Sequence, residues 1–159
     1  MKKAFNDVKS FMAIAGQKIE PMPTLPSDEK QTDLEIRAMG SVLKKMSLRL
    51  KDLKGEKALR SRLMLEELGE TLVDLSEDNI EGVADGIADL CYVAIGSAVT
   101  FGMDLGAVWD EVQRANMSKF PDGKAIKDDH GKVIKPEGWT GPDITKVLSE
   151  QNPITEGSG

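Results

Sequence analysis

Two acidic clusters set in apolar stretches hold the residues best suited to chemistry. Glu66, Glu67 and Glu70 follow Leu63-Met64-Leu65 and precede Thr71-Leu72-Val73. Asp85 and Asp89 lie between Val83-Ala84 and Leu90-Cys91-Tyr92-Val93. Carboxylates are rarely placed where a helix should be apolar unless they are paired or bind a metal. A helix advances about 100° per residue, so Glu66 and Glu70 are about 40° apart and Glu67 is within about 100° of both. Asp85 and Asp89 repeat the i, i+4 spacing. If the two helices pack antiparallel, both sets converge on one negative, oxygen-rich volume. Hard cations such as Mg²⁺ or Mn²⁺ prefer such donors. Without a cation the carboxylates repel one another and some protonate. The competing reading is a solvated helix face, where E-E-x-x-E is common. Two such clusters joined by a short loop favour the metal site.

The elements that must position these groups are helical. Phe5, Val8, Phe11, Met12 and Ala15 predict a first helix over about Asn6 to Gln17, capped by Asn6 and stopped by Gly16. Pro21, Pro23 and Pro26 predict an extended crossing segment. Ser27 is placed to cap a second helix reaching about Leu53, ended by Gly55. A third helix over 57–76 carries the first cluster and opens with Lys57, Arg60 and Arg62. Those basic residues suit either a solvated face or a phosphate. Ser76 to Asn79 form a polar loop. A fourth helix from about Ile80 to Phe101 carries Asp85, Asp89 and Tyr92, and its apolar length suits the centre of a bundle. Asp104 starts a fifth helix ending near Ser118. From Lys119 the texture is irregular, with a hairpin-like turn at Asp129 to Val133.

Composition narrows the class. The chain has 159 residues and 4% aromatics, so its core is aliphatic and suits helix packing. The net charge of −6 and the lack of a basic stripe argue against a nucleic-acid polymer as partner. They do not argue against a polyphosphate, because a bound cation reverses the local sign. The single cysteine, Cys91, reads as a core thiol in a reducing compartment. No signal-peptide pattern and no uninterrupted apolar run of about 18 residues is visible, so a cytoplasmic protein with no membrane partner is expected. His130, the sole histidine, sits in a turn, which disfavours a histidine zinc site or a Ser-His triad.

With these residues in place the chain resembles the all-α nucleoside triphosphate pyrophosphohydrolases, the MazG-like and phosphoribosyl-ATP pyrophosphohydrolase-like superfamily. The resemblance rests on Arg62 to Glu70, Val83 to Gly96, Glu111 to Lys119 and the tail Gly131-Lys132-Val133-Ile134-Lys135-Pro136-Glu137-Gly138-Trp139. It covers roughly residues 5 to 144. It implies an all-α fold, a bundle of about five helices, as one domain over 1–148. An irregular, nucleotide-proximal tail begins near residue 120, and a flexible C-terminus occupies 149–159.

The resemblance also implies roles. The family's E-E-x-x-E falls on Glu66, Glu67 and Glu70. Its second motif, E-x-x-D, ends on Asp89, but Gly86 stands where the glutamate belongs, and Asp85 is the nearest carboxylate. Glu81 is held in reserve. Glu66 or Glu67 positions the attacking water, and the five acids hold Mg²⁺ or Mn²⁺. The N-x-x-K motif falls on Asn116 and Lys119, which contact the nucleotide. Arg62 and Tyr92 are further substrate candidates; Tyr92 reads equally as a core residue. Trp139 stacks on a base if the tail folds over the site. The expected reaction cuts the α–β phosphate bond of a (deoxy)nucleoside triphosphate, with a purine such as dGTP or dATP preferred. The expected assembly is a homodimer or a dimer of dimers. The alternatives are a catalytically silent nucleotide-binding or regulatory protein, and a phosphoribosyl-ATP pyrophosphohydrolase.

Overall fold

The computed structural model describes residues 1–152, and residues 153–159 fall outside the described region. Six helices follow in order: α1 (Lys2–Ile14), α2 (Lys30–Arg49), α3 (Glu56–Ser76), α4 (Ile80–Thr100), α5 (Leu105–Met117) and α6 (Ile144–Glu150). Among the described residues the one β feature is an isolated antiparallel bridge between Lys127 and Val133. It closes the turn expected at Asp129 to Val133. The expected all-α class is observed, with one helix more than anticipated.

The chain forms two compact units. One comprises residues 22–101 and the other residues 1–21 with 102–159. The first unit is α2, α3 and α4. Two close crossings set its geometry. A Cβ on Gly40 of α2 would come to 2.7 Å from the Gly69 carbonyl oxygen, and one on Gly69 would come to 2.9 Å from that of Gly40. On α4, a Cβ on Gly86 would come to 2.3 Å from Thr71 Oγ1 of α3. Gly69 and Thr71 are two positions apart, about 200° around α3. Hence α2 and α4 pack on opposite flanks of α3, and α3 is the central rib of a three-helix layer. The proline segment runs beside the α3–α4 turn. There Pro23 to Ser27, with Asp78 and Ile80, line an open groove of about 430 Å³.

The second unit joins α1, α5 and α6 to the tail. Trp109 Nε1 of α5 donates to Asp7 Oδ2 of α1 at 3.0 Å, and Lys3 Nζ bridges Asp7 and Asp110 at 2.9 and 2.7 Å. The Lys3 ammonium and then the indole N–H hold the Asp7 carboxyl below its ordinary range. Phe11 and Phe120 meet with ring centroids 5.1 Å apart. Glu111 on α5 accepts from the Asp143 amide at 2.8 Å, which ties down the start of α6.

Several helix ends differ from expectation. Asn6 is no cap: α1 begins at Lys2 and Asn6 lies within it. Ser27 is no cap either. The chain stays extended through Glu29 (φ −67°, ψ 140°), and α2 starts at Lys30 without a side-chain cap. Pro23 and Pro26 restrict Met22 and Leu25 before them, and the extended path continues past Ser27 to Glu29. α2 stops at Arg49, short of Leu53. Asn79, placed in the loop, caps α4 by accepting from the Gly82 amide. Asp104 caps α5 as expected. α6 was not anticipated; Asp143 caps it through the Lys146 amide, and it takes in Ser149 and Glu150 of the stretch expected to be flexible. The remainder of that stretch from 153 lies outside the described residues.

α4 is long and apolar enough, by length and composition alone, to cross a membrane, with a mean hydropathy of 1.4. Asp85 and Asp89 interrupt it, and it packs on α3 through Gly86. Its other surface is open: Tyr92 is 78% exposed, Val99 68% and Ile87 53%. Within the single chain Tyr92 is therefore a surface residue, not part of the core.

Candidate active site

The carboxylates of the first unit are set by the α3–α4 crossing. Thr71 lies against Gly86, and its hydroxyl donates back to the Glu67 carbonyl at 2.7 Å. Glu67 is one turn before Thr71, so it lies on the edge of α3 that faces α4. Asp85 and Asp89 flank Gly86 on α4. The result is electrostatic. The Glu67 carboxyl is held above its ordinary range, first by partial burial and then by the negative charges of Asp89, Glu70, Glu66 and Asp85. The four other predicted acids therefore all act on Glu67. Asp89 on the neighbouring helix is the strongest of these charges.

This field is scarcely neutralised. Lys44 of α2 pairs with Glu70 at 3.1 Å, with both side chains about half exposed. Among the described residues, no three His, Cys, Asp or Glu side chains are closed tightly enough to hold a metal ion as they stand. The acids are gathered but not closed into a cage. Their donors are all hard oxygens, the class that suits Mg²⁺ or Mn²⁺. The four acidic neighbours raise the Glu67 carboxyl because each negative charge disfavours its ionised form.

Gly86 also has an account. Having no side chain, it lets α4 reach Thr71. A carboxylate side chain there would strike α3 instead of joining the acids.

The basic entry of α3 divides. Arg60 lies over Gly96 of α4, whose added Cβ would be 3.2 Å from Arg60 Nη1, and it stands 3.8 Å from Glu56. Arg62 is partly buried. The Nε atoms of both are shielded from solvent with no hydrogen-bond partner.

In the second unit Asn116 and Lys119 are together, as their spacing implies. Lys119 Nζ donates to Asn116 Oδ1 at 2.8 Å. The ammonium also lies 5.7 Å from the Phe11 ring centroid and 5.5 Å from that of Trp139. Trp139 Nε1 donates to the Ala115 carbonyl at 2.9 Å. Thus the tail is fastened to the end of α5 at the N-x-x-K motif. Sequence reasoning missed Lys135, whose ammonium lies 4.6 Å from the Trp139 ring. The one signal for it was its place in the tail pattern, four residues before Trp139.

Comparison with known proteins bears on both units. Residues 44–116 match the phosphoribosyl-ATP pyrophosphohydrolase family. That span holds all five acids and ends on Asn116. The fold is similar to the crystal structure of a protein from Exiguobacterium sp. 255-15 assigned as an NTP pyrophosphohydrolase. The TM-score is 0.56 and the identity 22%, over 92% of each chain. No curated protein matches this chain.

Proposed function

We propose that this chain, a member of the all-α nucleoside triphosphate pyrophosphohydrolase superfamily, hydrolyses the α–β phosphate bond of a (deoxy)nucleoside triphosphate with a divalent cation, Mg²⁺ or Mn²⁺. The observation that carries this reading is the close crossing of α3 and α4 at Thr71 and Gly86, which sets the helix of Asp85 and Asp89 against that of Glu66, Glu67 and Glu70; the other four charges raise the Glu67 carboxyl together with its partial burial. A group in that field either holds a proton or faces a cation, and a cation-bound polyphosphate supplies the cation.

Glu66, Glu67, Glu70, Asp85 and Asp89 are the residues that would hold the metal. When bound, the cation neutralises phosphate oxygens and steadies the leaving pyrophosphate. Water adds to phosphorus, the α–β bridging P–O bond breaks, and a nucleoside monophosphate and pyrophosphate leave. The water's proton passes to a carboxylate, and Glu66 or Glu67 fills that role. Glu67 is favoured because a raised carboxyl is the stronger base once deprotonated. Asn116 offers both a donor and an acceptor to a sugar or base edge, and Lys119 offers charge to phosphate. Arg62 and Tyr92 are secondary substrate contacts. A purine deoxynucleotide such as dGTP or dATP is the proposed substrate.

The exposed apolar side of α4 supports a homodimer, as a lone dimer or a dimer of dimers, in a single-domain protein of the cytoplasm. The test is product analysis. The purified protein is incubated with Mg²⁺ or Mn²⁺ and each common NTP and dNTP, and mono- and diphosphates are resolved. A monophosphate with pyrophosphate, abolished by chelator, is the expected result. A diphosphate with orthophosphate would show cleavage at the wrong bond. Tight nucleotide binding without turnover would favour the silent binder.

A further inference from the structure

We propose that Lys119 and Lys135, brought together on the Trp139 ring, form a two-lysine clamp for a polyphosphate. The clamp's identity as a substrate subsite rests on the hydrolase reading; its capacity to bind the anion does not.

The argument starts from charge. Lys119 Nζ and Lys135 Nζ lie 5.5 and 4.6 Å from the same ring centroid, which bounds their separation at about 10 Å. Two like charges this close repel. Among the described residues neither ammonium has a carboxylate within ion-pair distance; the sole hydrogen-bond acceptor of Lys119 there is the neutral Asn116 amide. An aromatic face attracts a cation by about 0.5–1 kcal/mol at an exposed site, which explains one lysine on Trp139. The C-terminal end of α5, negative by its dipole, also favours Lys119. Neither effect calls for a second ammonium at the same ring.

The ring is fixed rather than incidental. The Trp139 indole N–H is tied to Ala115, and its amide closes a turn on the Pro136 carbonyl at 3.1 Å. Lys119 is held from two further sides, by Asn116 and by Phe11. Lys135 is exposed, and among the described residues its ammonium donates no hydrogen bond. An ammonium carries three donors and no acceptor. A linear polyphosphate spreads charge over several phosphoryl groups, so it can engage both ammonium groups at once. A single carboxylate is less well matched to two separated point charges. Trp139 therefore acts as a positioning residue for the two lysines, and its ring is engaged by them instead of offered to a base.

The experiment is calorimetric titration of the full chain with inorganic tripolyphosphate in chelator, so that neither metal nor turnover contributes. The wild-type protein should bind, and binding should weaken as salt is raised. Lys135→Gln should weaken it about tenfold, Lys119→Gln at least as much, and Lys135→Arg should hold it within about twofold. Lys135 is exposed, so its substitution leaves folding intact, and circular dichroism checks this. No binding by the wild type, or unchanged affinity in Lys135→Gln, would overturn the clamp. A protein that binds tripolyphosphate through Lys135 yet hydrolyses no nucleotide would keep the clamp and sink the hydrolase reading.

Discussion

Gly86 and Thr71 meet where α4 crosses α3, so closely that a Cβ on Gly86 would lie 2.3 Å from Thr71 Oγ1. Gly86→Ala should therefore destabilise the protein, although alanine ordinarily favours a helix by about 1 kcal/mol over glycine. Overpacking of this kind costs about 1–3 kcal/mol. Chemical denaturation would measure it. Gly86→Glu, which places a glutamate three residues before Asp89, should be worse still and should raise no activity. A stable and more active Gly86→Glu protein would remove the steric account.

The Glu67 carboxyl predicts an unusual dependence on pH. Its folded value is raised, so the proton it retains contributes stability that is fully present below the ordinary carboxylate value. That contribution is lost as pH rises through the raised one. Metal-free wild-type protein should lose stability over that interval relative to Glu67→Gln, and Mg²⁺ should restore it at neutral pH. Thermal melts with and without chelator would reveal this. In the same protein, Glu67→Gln should lower kcat by about 10²–10⁴.

Glu111 runs the opposite way. Its side chain bonds Arg114 through two contacts of 2.7 Å and accepts the Asp143 amide, and these hold its carboxyl down at about 2. Its stabilising effect is present above the ordinary value of 4.5 and is lost as pH falls from there through about 2. Glu111→Ala, which removes the acceptor of the Asp143 amide, should release the start of α6 at neutral pH. Amide hydrogen exchange at Asp143 and along α6 would report it.

The outer side of α4 predicts association. Ile87→Glu and Val99→Glu change residues that are exposed in the single chain, so a monomer should tolerate them with stability changes within about 0.5 kcal/mol. If a second copy covers them, either substitution should instead yield a smaller species in analytical ultracentrifugation. A wild-type protein that sediments as a monomer at all concentrations would exclude the dimer.

Much of this was legible in the chain because its signals are long or chemical. α3 and α4 each run 21 residues, enough for periodicity to define them, and the acids on them could be seen as converging. Asp104 and Gly102 marked the start of α5 and the end of α4. What escaped was short or depended on neighbours. α6 spans seven residues, too few for a periodic stripe, and its start depends on Glu111 of another helix. Ser27 had the right chemistry for a cap, but Asp28 and Glu29 separate it from the helix, which begins at Lys30. The significance of Gly86 needed the position of Thr71. Lys135 acquired meaning only through a tryptophan whose anchor is a backbone carbonyl, which no side-chain pattern discloses.

The two tryptophans are Trp109, tied to Asp7, and Trp139, tied to Ala115, and both belong to the unit made from the two ends of the chain. The sole tyrosine, Tyr92, lies in the other unit. The protein thus carries its own optical label. Selective excitation of indole follows the unit of the two chain ends alone, while far-ultraviolet circular dichroism follows the helices of both units. A denaturation series read in both channels gives one superimposable curve if the units melt together, and two midpoints if they do not, without any added dye.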